Sequence, residues 1–132
     1  MVTHILSMTY GPKIEGVRNG AIRQTIRRLN PKRPFKLGDK LLIHGWSGKP
    51  YRSPWNWRME AIVTEVFELC VADWGVVGLE NPPRWTSWDD EGVDYLAESD
   101  GIDPPTGDAL KAVLERFHGK FHEPAYFQVI RW

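Results

Sequence analysis

Cysteine is almost absent from this sequence, and long apolar runs are missing altogether. The single thiol, Cys70, lies in an apolar stretch typical of a small buried side chain, so no internal disulfide can form. No run of about 18 apolar residues occurs, and no basic segment followed by an apolar one begins the chain, so neither a membrane span nor a signal peptide is expected. A chain of 132 residues, 42% hydrophobic and 26% charged, is typical of one globular domain, here residues 1–132, in the cytoplasm.

Several motifs that would identify an enzyme class are also missing. The sequence has no glycine loop for a triphosphate or a dinucleotide, and no nucleophile elbow around a serine. His118 and His122 are four residues apart, but Gly119 between them is expected to end a helix. No second cysteine or carboxylate cluster completes a tetrahedral metal site, so we expect neither a metal nor a cofactor.

A net charge is absent too, but the charges are unevenly distributed along the chain. Residues 1–60 hold 12 Lys and Arg against 3 Asp and Glu, whereas residues 61–132 hold 5 against 14. Such asymmetry indicates a surface for a polyanion such as nucleic acid. Alternatively, the two halves interleave in the fold and neutralise each other.

The hydrophobic pattern predicts strands interrupted by short loops in the first two thirds of the chain. Alternating and β-branched positions favour strands over residues 4–10, 40–44 and 57–73, the last forming one or two strands. Residues 13–19 are predicted to form a turn or a short helix ended by Asn19-Gly20, and residues 75–90 a long loop with a strand fragment.

Helical patterns are confined to the final third. The acidic residues 89–91 suit the first turn of a short helix, and apolar residues spaced i, i+3, i+4 and i+7 predict a helix over 108–118 with Gly119 as its cap. Residues 125–132 close the chain as a strand. The order of these elements predicts an α+β domain built on a small β-barrel.

The segment 45–58 combines aromatic and basic side chains among glycines and prolines, which predicts a loop. Its members are the aromatics Trp46, Tyr51, Trp55 and Trp57 and the cations Lys49, Arg52 and Arg58. Aromatic faces stack on bases while cations contact phosphates, so this composition favours binding of single-stranded nucleic acid. The alternative is that the aromatics fold back onto the core.

A second basic segment spans residues 20–28. In an extended conformation Arg23, Thr25 and Arg27 share one face, with Ile22 and Ile26 on the other. Two guanidiniums around a hydroxyl suit an anion or a base edge, and Gln24 and Arg28 of the same segment are further candidates for nucleic-acid binding. A solvated basic strand face is the alternative.

Four motifs in the same order resemble the activating-signal-cointegrator homology (ASCH) domain. The first is Gly20 followed by Gln24-Thr25-Ile26-Arg27, and the second is the turn Leu37-Gly38-Asp39. The third is Ala97-Glu98-Ser99-Asp100-Gly101-Ile102, and the last is Val129-Ile130-Arg131-Trp132. The resemblance implies the PUA-like superfold, a small β-barrel with flanking helices and a cleft for RNA, nucleotides or modified bases.

One branch of that family hydrolyses N4-acetylcytidine with a lysine, a threonine and an acidic residue. The resemblance places the threonine at Thr25 and the acid at Asp100, with Glu98 beside it. The lysine position is occupied by Ile22, which cannot transfer a proton, and Arg23 next to it is the nearest cationic substitute. The sequence therefore favours a module that binds RNA, single-stranded DNA or a modified base. A hydrolase of acylated nucleosides, a ribonuclease and a protein-interaction domain are the alternatives.

Overall fold

The computed structural model describes residues 1–78 and 84–132. Eleven elements follow one another along the chain: β1 (Thr3–Ser7), α1 (Gly11–Arg18), β2 (Gln24–Arg28), β3 (Lys40–Trp46), β4 (Trp55–Ile62), β5 (Glu65–Ala72), β6 (Gly75–Gly78), β7 (Arg84–Thr86), α2 (Glu91–Ser99), α3 (Gly107–His118) and β8 (Ala125–Arg131). The predicted mixture of helices and strands is confirmed. No helix in these ranges is both long enough and apolar enough to cross a membrane.

The strands form two sheets. The first has the order β1-β3-β4, with β1 parallel to β3, and the second has the order β2-β8-β5-β6-β7, with every pair antiparallel. Between β4 and β5 the chain passes from the first sheet to the second within two residues. Val63 N–H donates to Asp39 O, just before β3 of the first sheet, and Thr64 N–H donates to Arg131 O of β8 in the second. In the described ranges the two sheets are not closed into a barrel, which corrects the barrel expected from the sequence.

Two apolar clusters hold these layers together, and β8 contributes to both. Ile130 packs with Val17 of α1 and Leu41 of β3, whereas its neighbour Val129 packs with Leu110 of α3. Successive residues of a strand point to opposite faces, so β8 is buried on both sides. The second sheet is therefore the central layer, covered by α2 and α3 on one face and by α1 with the first sheet on the other.

The predicted helix at 108–118 is confirmed as α3. Thr106 caps its first turn by accepting a hydrogen bond from Ala109 N–H at 3.2 Å, and Gly119 ends it with φ +82°. Asp90 caps α2 in the same way, accepting from Gly92 N–H at 2.8 Å.

Segment 45–58 is more regular than predicted. β3 extends to Trp46 and β4 begins at Trp55, so these two residues are paired across a hairpin and only residues 47–54 form its loop. A register shift between His44 and Trp46 lets the strands continue past Gly45. The predicted loop at 75–90 contains the short strands β6 and β7, and its residues 79–83 lie outside the described residues.

Candidate functional site

A pocket of about 420 Å³ opens between the start of α1, strand β2, helix α3 and the hairpin loop 47–54. Its polar side is formed by Lys13, Thr25, Arg27 and Asp100. Apolar side chains of α3 form the opposite wall, and Tyr51 of the hairpin loop lies at its edge. This volume lies within the usual range for small-molecule sites, which is roughly 300–1,000 Å³.

A buried ion pair lies at the polar side of the pocket. Lys13 Nζ is 3.1 Å from Asp100 Oδ2, and the two residues are only 4% and 6% exposed. Gly101, with φ +77°, ends α2 directly after Asp100, and a Cβ there would lie 3.3 Å from Ile22 and 3.4 Å from Lys13. The glycine therefore lets the end of α2 approach α1 closely enough for the pair to form.

Burial is the main influence on the pKa of both members of this pair. It lowers the pKa of Lys13, against the attraction of Asp100, and the positive charge of Arg27 lowers it further. Burial raises the pKa of Asp100, although Lys13, Gln24 and Arg27 oppose this effect. The two pKa values thus move towards each other, so a proton moves between amine and carboxylate at less cost than between the same groups in water.

Gln24 holds Asp100 in place from below the pocket. Its Nε2 donates to Asp100 Oδ1 at 3.3 Å and to Leu96 O at 3.2 Å, while its Oε1 accepts from Arg131 Nε at 2.9 Å. Because Arg131 can only donate, it sets the orientation of the Gln24 amide. Gln24 is thus a positioning residue for the carboxylate.

Arg27 lies beside this pair and is half-buried. Its Nε donates to Thr25 Oγ1 at 3.1 Å, and its Nη2 donates to Ser7 O at 2.8 Å. Burial lowers the pKa of Arg27, and Asp100 opposes this effect. Arginine remains protonated even so, because its ordinary pKa lies far above neutrality. Thr25 and Arg27 thus present a hydroxyl and a fixed cation to the same space as Lys13 and Asp100.

His118 at the end of α3 completes the lining on the side of the apolar wall. Burial lowers its pKa, and the charges of Arg28 and Arg27 lower it further, so the neutral imidazole is favoured at neutral pH. Its ring packs edge-on against Phe127 with the centroids 5.0 Å apart.

Only one aromatic ring of the hairpin segment reaches the pocket in the described structure. Tyr51 lines it, is 82% exposed and has a positive φ of 64°. The ring centroids of Trp46 and Tyr51 lie 5.2 Å apart, and Trp55 stacks on His44 with the centroids 3.7 Å apart. Trp57 packs against the core beneath Arg18, whose guanidinium carbon lies 5.7 Å from the ring centroid. The expected alternative of aromatics folding back therefore holds for Trp57, but not for Tyr51.

The structure brings together part of the residue set expected from the sequence. Thr25, Arg27, Tyr51 and Asp100 line the pocket, and Gln24 supports it. The remaining candidates do not line it: Arg23, Arg28, Lys49, Arg52, Trp55, Trp57 and Arg58. Arg23 is exposed, and its Nε donates to Gly20 O at 3.2 Å rather than reaching the site.

Sequence reasoning missed Lys13 and His118. One signal could have indicated Lys13, because it stands four residues before the buried Val17 and so shares the inner face of α1. Lys13–Asp100 is also the one ion pair between described residues that joins the basic first half of the chain to the acidic second half. The two halves therefore do not neutralise each other through paired charges in the described structure.

No family model matches the chain, and neither a curated protein nor a solved structure matches it.

Proposed function

We propose that the pocket binds the base of a nucleotide or of a single-stranded nucleic acid. The observation that carries this proposal is the convergence of Lys13, Arg27, Asp100 and Thr25 on one side of a 420 Å³ pocket whose edge carries the exposed ring of Tyr51. A base needs a planar surface to stack on and polar groups at its edge, and both kinds of group are present here.

Each part of the pocket suits one part of a base. The Asp100 carboxylate suits an exocyclic amine, as acidic side chains accept from the N4 amine of cytosine. The Lys13 amine and the Thr25 hydroxyl suit carbonyl and ring-nitrogen acceptors. The ring of Tyr51 and the apolar wall of α3 provide faces for stacking, which is worth about 1–3 kcal/mol per base.

Cations close to the pocket support contact with a polyanion. Lys49 and Arg52 flank Pro50 and Tyr51 in the loop that borders the opening, and both are exposed. Arg28 is close enough to His118 to lower its pKa. A strand whose base enters the pocket would therefore find cations for its phosphates beside it.

The ASCH resemblance supports the same proposal. Thr25 and Arg27 belong to the first of the four resembling motifs and Asp100 to the third, and all three line one pocket of this chain. We propose on this basis that the domain is an ASCH-type member of the PUA-like superfold, with its two sheets unclosed.

The proposal is tested by titrating the protein with nucleosides, nucleoside monophosphates and short single-stranded RNA and DNA at low salt. We expect at least one of these classes to bind, and Asp100→Asn to weaken that binding about tenfold or more, because an amide cannot replace a carboxylate facing an amine. Asp73→Asn is the matched control, since Asp73 pairs with Lys111 at 2.9 Å but lies outside the pocket. Absence of binding to every class, or equal loss in both variants, would refute the proposal.

A specific observation also supports a second candidate, hydrolysis of an acylated nucleoside. The motif lysine is replaced by Ile22, but α1 supplies another amine, Lys13, 3.1 Å from Asp100 and in the same pocket as Thr25. In its neutral form, which the lowered pKa favours, Lys13 can accept a proton from water as the water adds to the acyl carbon. Lys13 then returns this proton to the nitrogen as the C–N bond breaks, which releases the acid and the nucleoside amine.

Mass spectrometry of N4-acetylcytidine after incubation with the protein decides between the two candidates. Hydrolysis predicts cytidine and acetate in the wild type and a loss of at least about a hundredfold in Lys13→Met, as expected for a general acid or base. Binding without any cytidine formation would leave the binding proposal alone.

A further inference from the structure

Arg27 is a charged group that forms no direct ion pair with a described carboxylate, although the charge of Asp100 acts on it from nearby. Asp100 is the acidic residue of the pocket, and it is already paired with Lys13 at 3.1 Å. Among the residues that the structure describes, no carboxylate forms an ion pair with Arg27. With His118 favoured as neutral, the lining carries two cations and one anion.

The hydrogen bonds of Arg27 leave one edge of the guanidinium available. Nε and Nη2 are engaged by Thr25 Oγ1 and Ser7 O, which fix the plane of the group against β2 and the end of β1. Nη2 also contacts Met8 Sδ at 3.8 Å, whereas Nη1 forms no hydrogen bond with the described part of the chain, and Arg27 lines the pocket. A half-buried guanidinium held in this way is preorganised to meet an anion, since burying it unpaired is costly.

We propose that Arg27 is an anion subsite, so that the pocket selects a base carrying a phosphate over the uncharged nucleoside. This inference rests on the proposed function and names its ligand class: a nucleoside monophosphate or a nucleotide unit within a strand. The base lies against Asp100, Thr25 and Tyr51, and one phosphate oxygen accepts from Arg27 Nη1. Bringing one negative charge into the lining also balances its excess positive charge.

Isothermal titration of each nucleoside against its 5′- and 3′-monophosphates tests this subsite. We expect the better monophosphate to bind at least about tenfold more tightly than its nucleoside, which is the effect of one charge-assisted hydrogen bond. Raising the salt concentration should weaken binding of the monophosphate and leave binding of the nucleoside almost unchanged. This salt comparison uses only the wild-type protein and does not depend on the folding of a variant.

Two variants assign the preference to Arg27. Arg27→Gln should make the monophosphate and the nucleoside bind with nearly equal affinity. Arg27→Lys should retain part of the preference for the monophosphate, because lysine keeps the positive charge but lacks the planar guanidinium donors. Arg33→Gln is the matched control, since Arg33 likewise donates to a backbone carbonyl, Thr3 O at 2.6 Å, but outside the pocket. Thermal unfolding of each variant confirms that it is folded.

The outcomes separate this inference from the proposal on which it rests. If nucleosides bind as tightly as monophosphates, or if the phosphate preference persists in a folded Arg27→Gln variant, the anion subsite is refuted while base binding stands. If no nucleoside, monophosphate or oligonucleotide binds, both are refuted. Titrations with a dinucleotide and with inorganic phosphate show whether the phosphate bound at Arg27 belongs to a nucleic-acid strand or is the free anion. Tighter binding of inorganic phosphate than of any nucleotide would overturn the assignment of the ligand as a nucleotide.

Discussion

Two of the carboxylates that the structure describes are buried beside a basic side chain, and their hydrogen-bond partners and access to the pocket differ. Asp39 Oδ2 lies 2.8 Å from His4 Nε2, and Asp100 Oδ2 lies 3.1 Å from Lys13 Nζ. Asp39 also accepts from Val2 N–H at 3.2 Å and from Lys36 N–H at 3.1 Å, and it does not line the pocket. Asp100 accepts only from side chains in the described structure, and it faces an open pocket.

The difference appears in the direction of the two pKa shifts. Burial opposes ionisation of Asp39, but the hydrogen bonds from His4, Val2 and Lys36 together outweigh it and lower its pKa. Burial dominates at Asp100 and raises its pKa. A buried charge alone therefore does not identify a site. The hydrogen bonds of Asp39 connect the loop before β3 to β1, whereas the Asp100 pair is held by side chains alone and faces a pocket, as expected of a functional group.

The largest effect is expected for Asp39→Ala. It leaves two backbone N–H groups and His4 without their shared acceptor, so we expect a loss of about 3–5 kcal/mol in the free energy of unfolding. Asp100→Ala should cost about half as much, because water in the pocket can solvate Lys13. Urea denaturation of both variants measures the difference. An equal loss at the two positions would remove the distinction between them.

One aromatic ring near each carboxylate, Phe35 on the partner of Asp39 and Tyr51 in the lining of the Asp100 pocket, extends the comparison to smaller effects. Phe35 stacks on His4 with the centroids 4.1 Å apart, whereas Tyr51 is mostly exposed. We expect Phe35→Ala to lower the free energy of unfolding by about 2 kcal/mol, and Tyr51→Ala to change it by less than about 0.5 kcal/mol. Tyr51→Ala should instead weaken base binding. A large stability loss in Tyr51→Ala would make this ring part of the core.

The pH dependence of stability should have opposite signs at the two carboxylates. The pKa of Asp39 is lowered on folding, so its contribution is complete above the unfolded value of about 3.9 and is lost as the pH falls below it. The pKa of Asp100 is raised, so its contribution is present below that value and is lost as the pH rises through the folded pKa.

Urea denaturation of the wild type, Asp39→Asn and Asp100→Asn between acid and neutral pH measures these effects. Lowering the pH should reduce the stability advantage of the wild type over Asp39→Asn. It should improve the stability of the wild type relative to Asp100→Asn. Differences that move in the same direction with pH would contradict the two assignments.

A small stability change is also expected where the whole Lys13–Asp100 pair is replaced by Lys13→Met with Asp100→Leu. Buried ion pairs are commonly replaced by apolar residues of similar size without loss, so the free energy of unfolding should stay within about 1 kcal/mol of the wild type or rise, while ligand binding disappears. His4→Phe with Asp39→Leu is the matched control and should destabilise, because Val2 and Lys36 lose their acceptor. A double variant at 13 and 100 that retains binding would exclude the pair from the site.

Local patterns determined much of the secondary structure. The helical spacing before Gly119, the cap at Gly119 and the β-branched strands were predictable, because they depend on near neighbours in the chain. The hairpin at Trp46 and Trp55 was not predicted, since cross-strand pairing outweighs the local preference of glycine and proline for loops.

The candidate site divides in the same way. The motifs of the sequence singled out Thr25, Arg27 and Asp100, whose residue types already suggest anion and base recognition. Lys13 was hidden, because a lysine in an eight-residue helix is ordinarily solvated and only the approach of α1 to the end of α2 buries it against Asp100. The sequence by itself determined which chemical groups the protein has. The tertiary structure decided which are desolvated together, because burial and charge pairing depend on contacts between segments distant in the chain.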